Sequence, residues 1–316
     1  MSPPTLGILF LLAFSASQGL RDALFGNVFQ SVSFLLVALL SFGTATMVFA
    51  VAAHLRRPVD LSRLITMPDR LGALNMTTAG AWLSFFFGLT YLEPAVVATL
   101  FNGIGPLTAL AFSNTKLGGP NPRVIGFERL LYAALALTLG TLVIVVLTDR
   151  SGLALTDLAV QSAAVACVMA GGATISLSHT IARKMTDAGL GSDTVMGWRF
   201  LMILIVAGNG EWWVGDHASW PNLNDAVVLS LTTFTLIIIP SFLLQLGVAR
   251  VTPLTVNVMR SLGPVFVFAV QQADGRLQFS GATLVCVLAY CRIVMTTAML
   301  RAKNEPAPPM DRKSAG

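Results

Sequence analysis

The chain has 316 residues, of which 55% are hydrophobic and 11% charged, with a net charge of +5 and a mean hydropathy of +0.75. So little charge cannot cover a water-soluble surface of that size, which excludes a soluble globular protein and predicts an all-α polytopic membrane protein. No soluble basic domain exists to give the positive balance a nucleic-acid partner, so the charge is read as a property of loops between spans.

Apolar stretches of about 20 residues, the length that crosses a bilayer core, predict ten transmembrane helices. They run from Thr5 to Val28, Val32 to Ala53, Leu71 to Tyr91, Pro94 to Ser113, Ile125 to Leu147, Leu158 to Ile181, Thr194 to Val214, Ala226 to Gly247, Leu254 to Gln271 and Leu277 to Leu300. Only Met1-Ser2-Pro3-Pro4 precedes the first, without the basic region of a signal peptide, so it is expected to be a mature helix. A cytoplasmic N-terminus puts Arg56, Arg57, Arg63, Arg70, Lys116, Arg123, Arg183, Lys184, Arg250, Arg301, Lys303, Arg312 and Lys313 inside, against Arg150 and Arg276 outside. The positive-inside rule therefore predicts a multi-pass protein of the cell inner (plasma) membrane with both termini cytoplasmic. Trp212, Trp213 and Trp220, near Glu211, Asp216 and Asp225, form an expected interfacial anchor in an outer loop. Cys167, Cys286 and Cys291 lie within spans without metal-ligand spacing, so neither a disulfide framework nor a metal site is expected. Asn75-Met76-Thr77 matches the glycosylation pattern by chance, at a cytoplasmic helix start. Residues 303–316, with Pro306, Pro308 and Pro309, read as a disordered cytoplasmic tail.

Two Gly-Pro pairs, Gly105-Pro106 and Gly263-Pro264, interrupt apolar segments half a chain length apart, and each follows a proline at a helix entrance, Pro94 and Pro253. This spacing predicts a duplication into 1–150 and 151–302, five spans each. Because five is odd, the second copy enters the bilayer with the opposite orientation, giving two inverted five-helix repeats. Inverted repeats place a binding site at their interface near the bilayer midplane.

The stretch Trp82-Leu83-Ser84-Phe85-Phe86-Phe87-Gly88-Leu89-Thr90-Tyr91-Leu92-Glu93-Pro94-Ala95 leading into Gly105-Pro106, and the stretch from Ser241 to Met299, resemble the two EamA-type repeats of the drug/metabolite transporter superfamily. The resemblance covers nearly the whole chain and implies ten helices, cytoplasmic termini and a central cavity for small metabolites that are exported or exchanged. Arg199 in Trp198-Arg199-Phe200-Leu201 matches a position of that family. The arginine usual in its second helix is absent, and the Gly-Glu pair that often opens the fifth helix of each repeat is unclear in Asn121-Pro122-Arg123 and Gly275-Arg276-Leu277.

A proline inside a helix removes one hydrogen bond and frees the carbonyl four residues earlier. For Pro106 that carbonyl belongs to Asn102, and for Pro264 to Arg260. In hydrocarbon such a group needs a partner or a wet cavity, so Asn102 and Arg260 are expected to line the substrate site. Plain kinking for packing is the alternative. Arg199 and Arg260 sit about six residues, or roughly 9 Å, inside their helix ends, and Arg292 about eight residues. Intramembrane arginines are costly in lipid, so all three are candidate ligands for a carboxylate or phosphate, with snorkelling as the alternative. Arg21 and Asp22 form a candidate coupling site if Asp22 exchanges a proton, against a mutual ion pair or an interfacial cap. Glu93 is expected to cap the helix that starts at Pro94, and Glu128-Arg129 to pair locally or gate the cytoplasmic mouth. His179 reads as an interfacial histidine. Gly103, Gly105, Gly171 and Gly172 are expected to allow close helix approach.

These features predict a secondary active transporter, exporter or exchanger, that moves a small polar or amphipathic metabolite, with an anionic group as one expected feature, by alternating access. Its partners would be that small molecule and the lipid bilayer, with a homodimer left open. No enzyme activity and no cofactor are expected, and no G-x-x-x-x-G-K-[ST] loop is present for nucleotide. An integral-membrane sensor or assembly subunit, or a lipid-modifying membrane enzyme, are the competing classes.

Overall fold

A computed structural model describes residues 3–112, 115, 126–153, 157–214, 223–248, 250–251 and 253–304. It is helical throughout, with no strand among the described residues. In chain order the helices are α1 (Pro3–Val28), α2 (Phe34–Arg56), α3 (Asp60–Ile65), α4 (Pro68–Tyr91), α5 (Pro94–Ala111), α6 (Gly126–Leu147) and α7 (Leu158–Asp187). They continue as α8 (Ser192–Trp198), α9 (Leu201–Val214), α10 (Leu223–Val248), α11 (Pro253–Ser261), α12 (Gly263–Gln271) and α13 (Gly281–Asn304). Six helices, within α1, α2, α5, α6, α7 and α13, are long and apolar enough to cross a membrane. The protein is an all-α, membrane-embedded bundle.

Local chemistry sets the helix ends. Pro68 and Pro94 sit in the first turns of α4 and α5, where a missing N–H costs nothing and the fixed φ suits a helix start. Ser33 and Asp157 cap α2 and α7 by accepting from Leu35 N at 3.2 Å and Ala159 N at 2.8 Å. α7 runs past the expected end at Ile181 to Asp187, and Gly189 then reverses the chain at φ +94°. Two expected spans are interrupted. Thr194–Val214 divides into α8 and α9 at Arg199 and Phe200, and Leu254–Gln271 divides into α11 and α12 at Leu262. The two Gly-Pro pairs therefore behave differently. Pro264 lies at the start of a new helix, flanked by tight bonds from Leu262 N to Met259 O and from Val265 N to Leu262 O, whereas Pro106 sits inside continuous α5. Trp220, Asp216, Lys116, Arg123 and the tail beyond Asn304 lie outside the described residues, and α13 itself includes Lys303. Trp212 and Trp213 are 65% and 81% exposed.

The helices interlock across the chain's midpoint. α4 and α5 pack against α7, while α1 packs against α10 and α12. α2 lies against α8, α9 and α10, α6 against α13, and α5 against α12. Two crossings depend on glycine. A Cβ on Gly172 of α7 would stand 2.3 Å from the Phe101 carbonyl oxygen of α5, and one on Gly19 of α1 would stand 2.8 Å from the Phe266 backbone of α12. Backbones approach this closely only where no side chain intervenes.

Around these crossings, Phe25, Phe42, Phe86 and Phe200 form an aromatic core with Trp82. Phe25 meets Phe86 edge-on at 5.5 Å, and Phe42 lies 4.9 Å from Phe200. A smaller cluster, Leu64, Leu74, Ile181, Met185, Leu190 and Val195, joins α3, α4, α7 and α8 at one end. Leu130, Leu137 and Ile144 on α6, seven residues apart, are 62%, 72% and 62% exposed, forming an outward apolar stripe suited to lipid.

Candidate functional site

Two neighbouring cavities occupy the middle of the bundle. The central one, about 180 Å³, is walled by α1, α4, α5, α7, α10, α11 and α12. Its polar lining is Gln18, Arg21 and Asp22 from α1, Asn102 from α5, His179 from α7 and Arg260 from α11, set among Phe14, Trp82, Phe85 and Phe101. The second cavity, about 330 Å³, lies between α5, α6, α11 and α13. Asn102 and Arg260 line both, so they stand on the partition between the two chambers.

These two side chains reach the same region because their helices meet there. α5 packs on α12, and the break at Leu262 leaves Arg260 in the last turn of α11. Both residues are exposed although they lie deep in the bundle, because the surface they show is cavity wall. Asn102 uses its Nδ2 on its own helix, donating to Ala98 O at 2.8 Å, which leaves its Oδ1 toward the chambers. Arg260 has no carboxylate within ion-pairing distance among the described residues. Pro106 lines the second cavity and Gly263 the central one, while Gly105 is held from the side by Ser176 Oγ, which donates to its carbonyl at 3.3 Å, and Pro264 is buried.

Arg21 and Asp22 are a buried ion pair. Arg21 Nε donates to Asp22 Oδ1 at 2.8 Å, Nη2 lies 2.7 Å from the same oxygen, and the guanidinium stands over the Trp82 ring at 5.5 Å. Of the alternatives for Asp22, the mutual pair is the arrangement found. With that pair internally neutral, Arg260 supplies the uncompensated positive charge of the central chamber.

The other two arginines are placed elsewhere. Arg199 lines neither chamber. It is buried at the α8–α9 break, donating from Nη2 to Ser178 Oγ at 2.9 Å and, more weakly, from Nε and Nη2 to Thr78 Oγ1 at 3.4 Å, which ties α4 and α7 to the break. Arg292 is exposed on the same outer face of α13 as Val285, Leu288 and Met299, the arrangement of a snorkelling side chain.

The residues that hold the breaks are ones the sequence did not mark for that role. Asn75 inserts its amide between Trp198 and Met202: Nδ2 donates to Trp198 O at 2.9 Å and Oδ1 accepts from Met202 N at 3.1 Å. That amide replaces the one helical bond the α8–α9 break removes. At the α11–α12 break, Ser15 Oγ donates to Met259 O at 2.9 Å and the Cys291 thiol to Ser261 O at 2.9 Å. Glu93 does not bond to its own helix start. Gln271 Oε1 takes that role by accepting from Ala95 N at 2.9 Å. Glu93 instead accepts from Gly152 N at 2.7 Å, from Thr283 Oγ1 at 2.9 Å and from Gln271 Nε2. Beside it, in the turn before α13, hydrogen bonds from Arg276 hold the Asp274 carboxyl below its ordinary value. At the opposite end Asp60 accepts from Gly191 N at 2.7 Å and Thr194 Oγ1 at 3.2 Å, and Glu128 pairs with Arg301. Among the described residues no group of histidine, cysteine and carboxylate side chains has the geometry of a metal site.

What the fold and cavities define is a class: an all-α membrane protein with a polar, partitioned chamber inside the bundle. No protein-family model and no curated protein matches the chain. Among solved structures, the crystal structure of another protein aligns over 98% of this chain and 99% of that one, with a TM-score of 0.60 at 20% identity. That likeness shows the shared fold.

Proposed function

We propose that the chain is a secondary active transporter, an exporter or exchanger, for a small polar or amphipathic metabolite carrying a negative group, working by alternating access between two inverted five-helix repeats. The observation that carries this reading is that Asn102 on α5 and Arg260 on α11 face the same interior chambers, with no acidic partner for Arg260 among the described residues. A guanidinium in a low-dielectric cavity suits a carboxylate or phosphate.

The helix pairings support the repeat. If α1 corresponds to α7, α4 to α10 and α5 to α11–α12, then α4 on α7 mirrors α10 on α1, and α5 on α7 mirrors α12 on α1. The glycine crossings match too, Gly172 with α5 and Gly19 with α12. Counting α8–α9 and α11–α12 as one span each and leaving out α3 gives ten spans, in line with the resemblance to EamA-type drug/metabolite transporters. The loop arginines and lysines favour cytoplasmic termini in the inner membrane.

The test is uptake into proteoliposomes over a panel of metabolites, with and without a pH gradient. Arg260→Ala and Asn102→Ala are expected to slow a transported anion about tenfold or more, the loss of one charge-assisted or polar contact in a dry site. Transport at the wild-type rate by both variants would sink the central-site reading. Asp22→Asn serves as the coupling arm: if a pH gradient still drives this variant, Asp22 is structural only.

A further inference from the structure

The larger of the two cavities is not needed for a central alternating-access site, and its lining has a chemistry of its own. It is walled by the second half of α5, the first half of α6, the end of α11 and the second half of α13. Its polar groups include Tyr132, Arg260, Tyr290, Thr297 and Arg301, and much of the remaining wall is aliphatic, including Leu135 and Val294. The charged groups facing it are two guanidiniums, against one carboxylate, Glu128, that is bonded to Arg301 Nε. Arg301 also stands 5.8 Å over the Tyr132 ring, which fixes the guanidinium plane at the chamber wall. Its Nη2 is buried and has no hydrogen-bond partner among the described residues. A buried, unpaired guanidinium N–H costs free energy unless something accepts from it.

We propose that this side chamber is a second binding site, distinct from the central one, for an amphipathic monoanion: a single carboxylate on an alkyl or aryl body. The carboxylate accepts from Arg301 Nη2 and from the nearby phenol hydroxyls, and the apolar body lies along Leu135 and Val294. One negative charge balances the excess of one guanidinium over Glu128, whereas a dianion would overcompensate. A neutral amphiphile such as an alcohol can accept from Nη2 but leaves the excess positive charge unbalanced. The site stands whether or not the central chamber transports anything, since it shares only Asn102 and Arg260 with it.

Equilibrium binding of labelled decanoate to the full chain in phosphatidylcholine nanodiscs tests this directly, with decanol and acetate as competitors. Saturable binding of one decanoate per chain is expected, with decanol and acetate each competing about tenfold or more weakly, because one lacks the charge and the other the body. Thr297→Leu fills the chamber with an apolar group that a membrane bundle tolerates, and is expected to abolish binding. Arg301→Gln keeps an amide for Glu128 and is expected to weaken binding about tenfold. Ile175 on α7 lines the central chamber and not the side chamber, so Ile175→Trp, which blocks only the central chamber, is expected to stop transport and leave decanoate binding unchanged. Decanol competing as well as decanoate, or binding indifferent to both Thr297→Leu and Arg301→Gln, overturns the site. Loss of binding in Ile175→Trp with retention in Thr297→Leu assigns the decanoate to the central chamber and overturns it equally.

Discussion

Three arginines within apolar segments look alike in the sequence, and the structure gives each a different role. Arg260 faces a chamber, Arg199 is consumed by the hydroxyls of Thr78 and Ser178, and Arg292 points outward among Val285, Leu288 and Met299. Depth along a helix is legible from sequence because rise per residue is constant. Azimuth is not, because it depends on which neighbour each face meets. Asn102 was legible through a backbone rule, the carbonyl freed by a proline four residues on inside α5, whereas Pro264 starts a new helix and Arg260 faces the chamber from the last turn of α11. The partners that satisfy the α11–α12 break, Ser15 and Cys291, come from distant helices and carry no local signal. Arg199 should accordingly behave as a structural residue. Arg199→Leu removes a buried charge together with its hydroxyl contacts, while Arg199→Ala also leaves a void between α4, α7 and α8. Thermal unfolding in detergent is expected to show Arg199→Ala less stable than Arg199→Leu by about 1–2 kcal/mol, the cost of lost packing volume. An unchanged midpoint in both, with a raised KM for substrate, would mean the residue acts in binding.

At the scale of elements, ten apolar stretches were readable because a bilayer demands long unbroken hydrophobicity, and each falls on one helix or on two consecutive helices. The interruptions were legible only in part: Gly263-Pro264 does mark the α11–α12 break. A proline is a visible breaker, yet Pro106 is absorbed within α5 while the chain breaks at Arg199 and Phe200, where no proline or glycine stands. That break is made stable from outside, by the amide of Asn75 on α4 bonding both Trp198 O and Met202 N. Asn75→Ala would strand one donor and one acceptor in a buried place, unless α8 and α9 straightened into one helix. Stranding is expected, because Arg199 is anchored to α4 and α7, and the variant should lose about 2–3 kcal/mol. Asn75→Asp, which keeps the acceptor for Met202 N but not the donor for Trp198 O, should fall between. Amide hydrogen exchange at Met202 reads the same event locally: protection that persists in Asn75→Ala would show that the ladder closes without the side chain.

For the whole molecule, neither half owns a core. The main packing runs α4 and α5 onto α7, and α1 onto α10 and α12, so each half's helices are buried by the other's. A division at residues 150 and 151, natural from the sequence, therefore does not separate independently folding domains. Residues 1–153 and 157–316 expressed as separate polypeptides should each be rapidly degraded or aggregate alone, and should copurify as a folded complex when expressed together. A stable, monodisperse half in isolation would contradict this.

The Glu93 network adds an order in time to that interdependence. The carboxylate is made early, but the groups that donate to it arrive in sequence from residues 152, 271 and 283, the last of them at the start of the final helix. Until the last of them is made the acid must keep water among its partners, since its full set of donors is not yet present. The turn at 91–94 can thus settle only when the chain is nearly complete, which makes this end of the bundle the clasp that closes last.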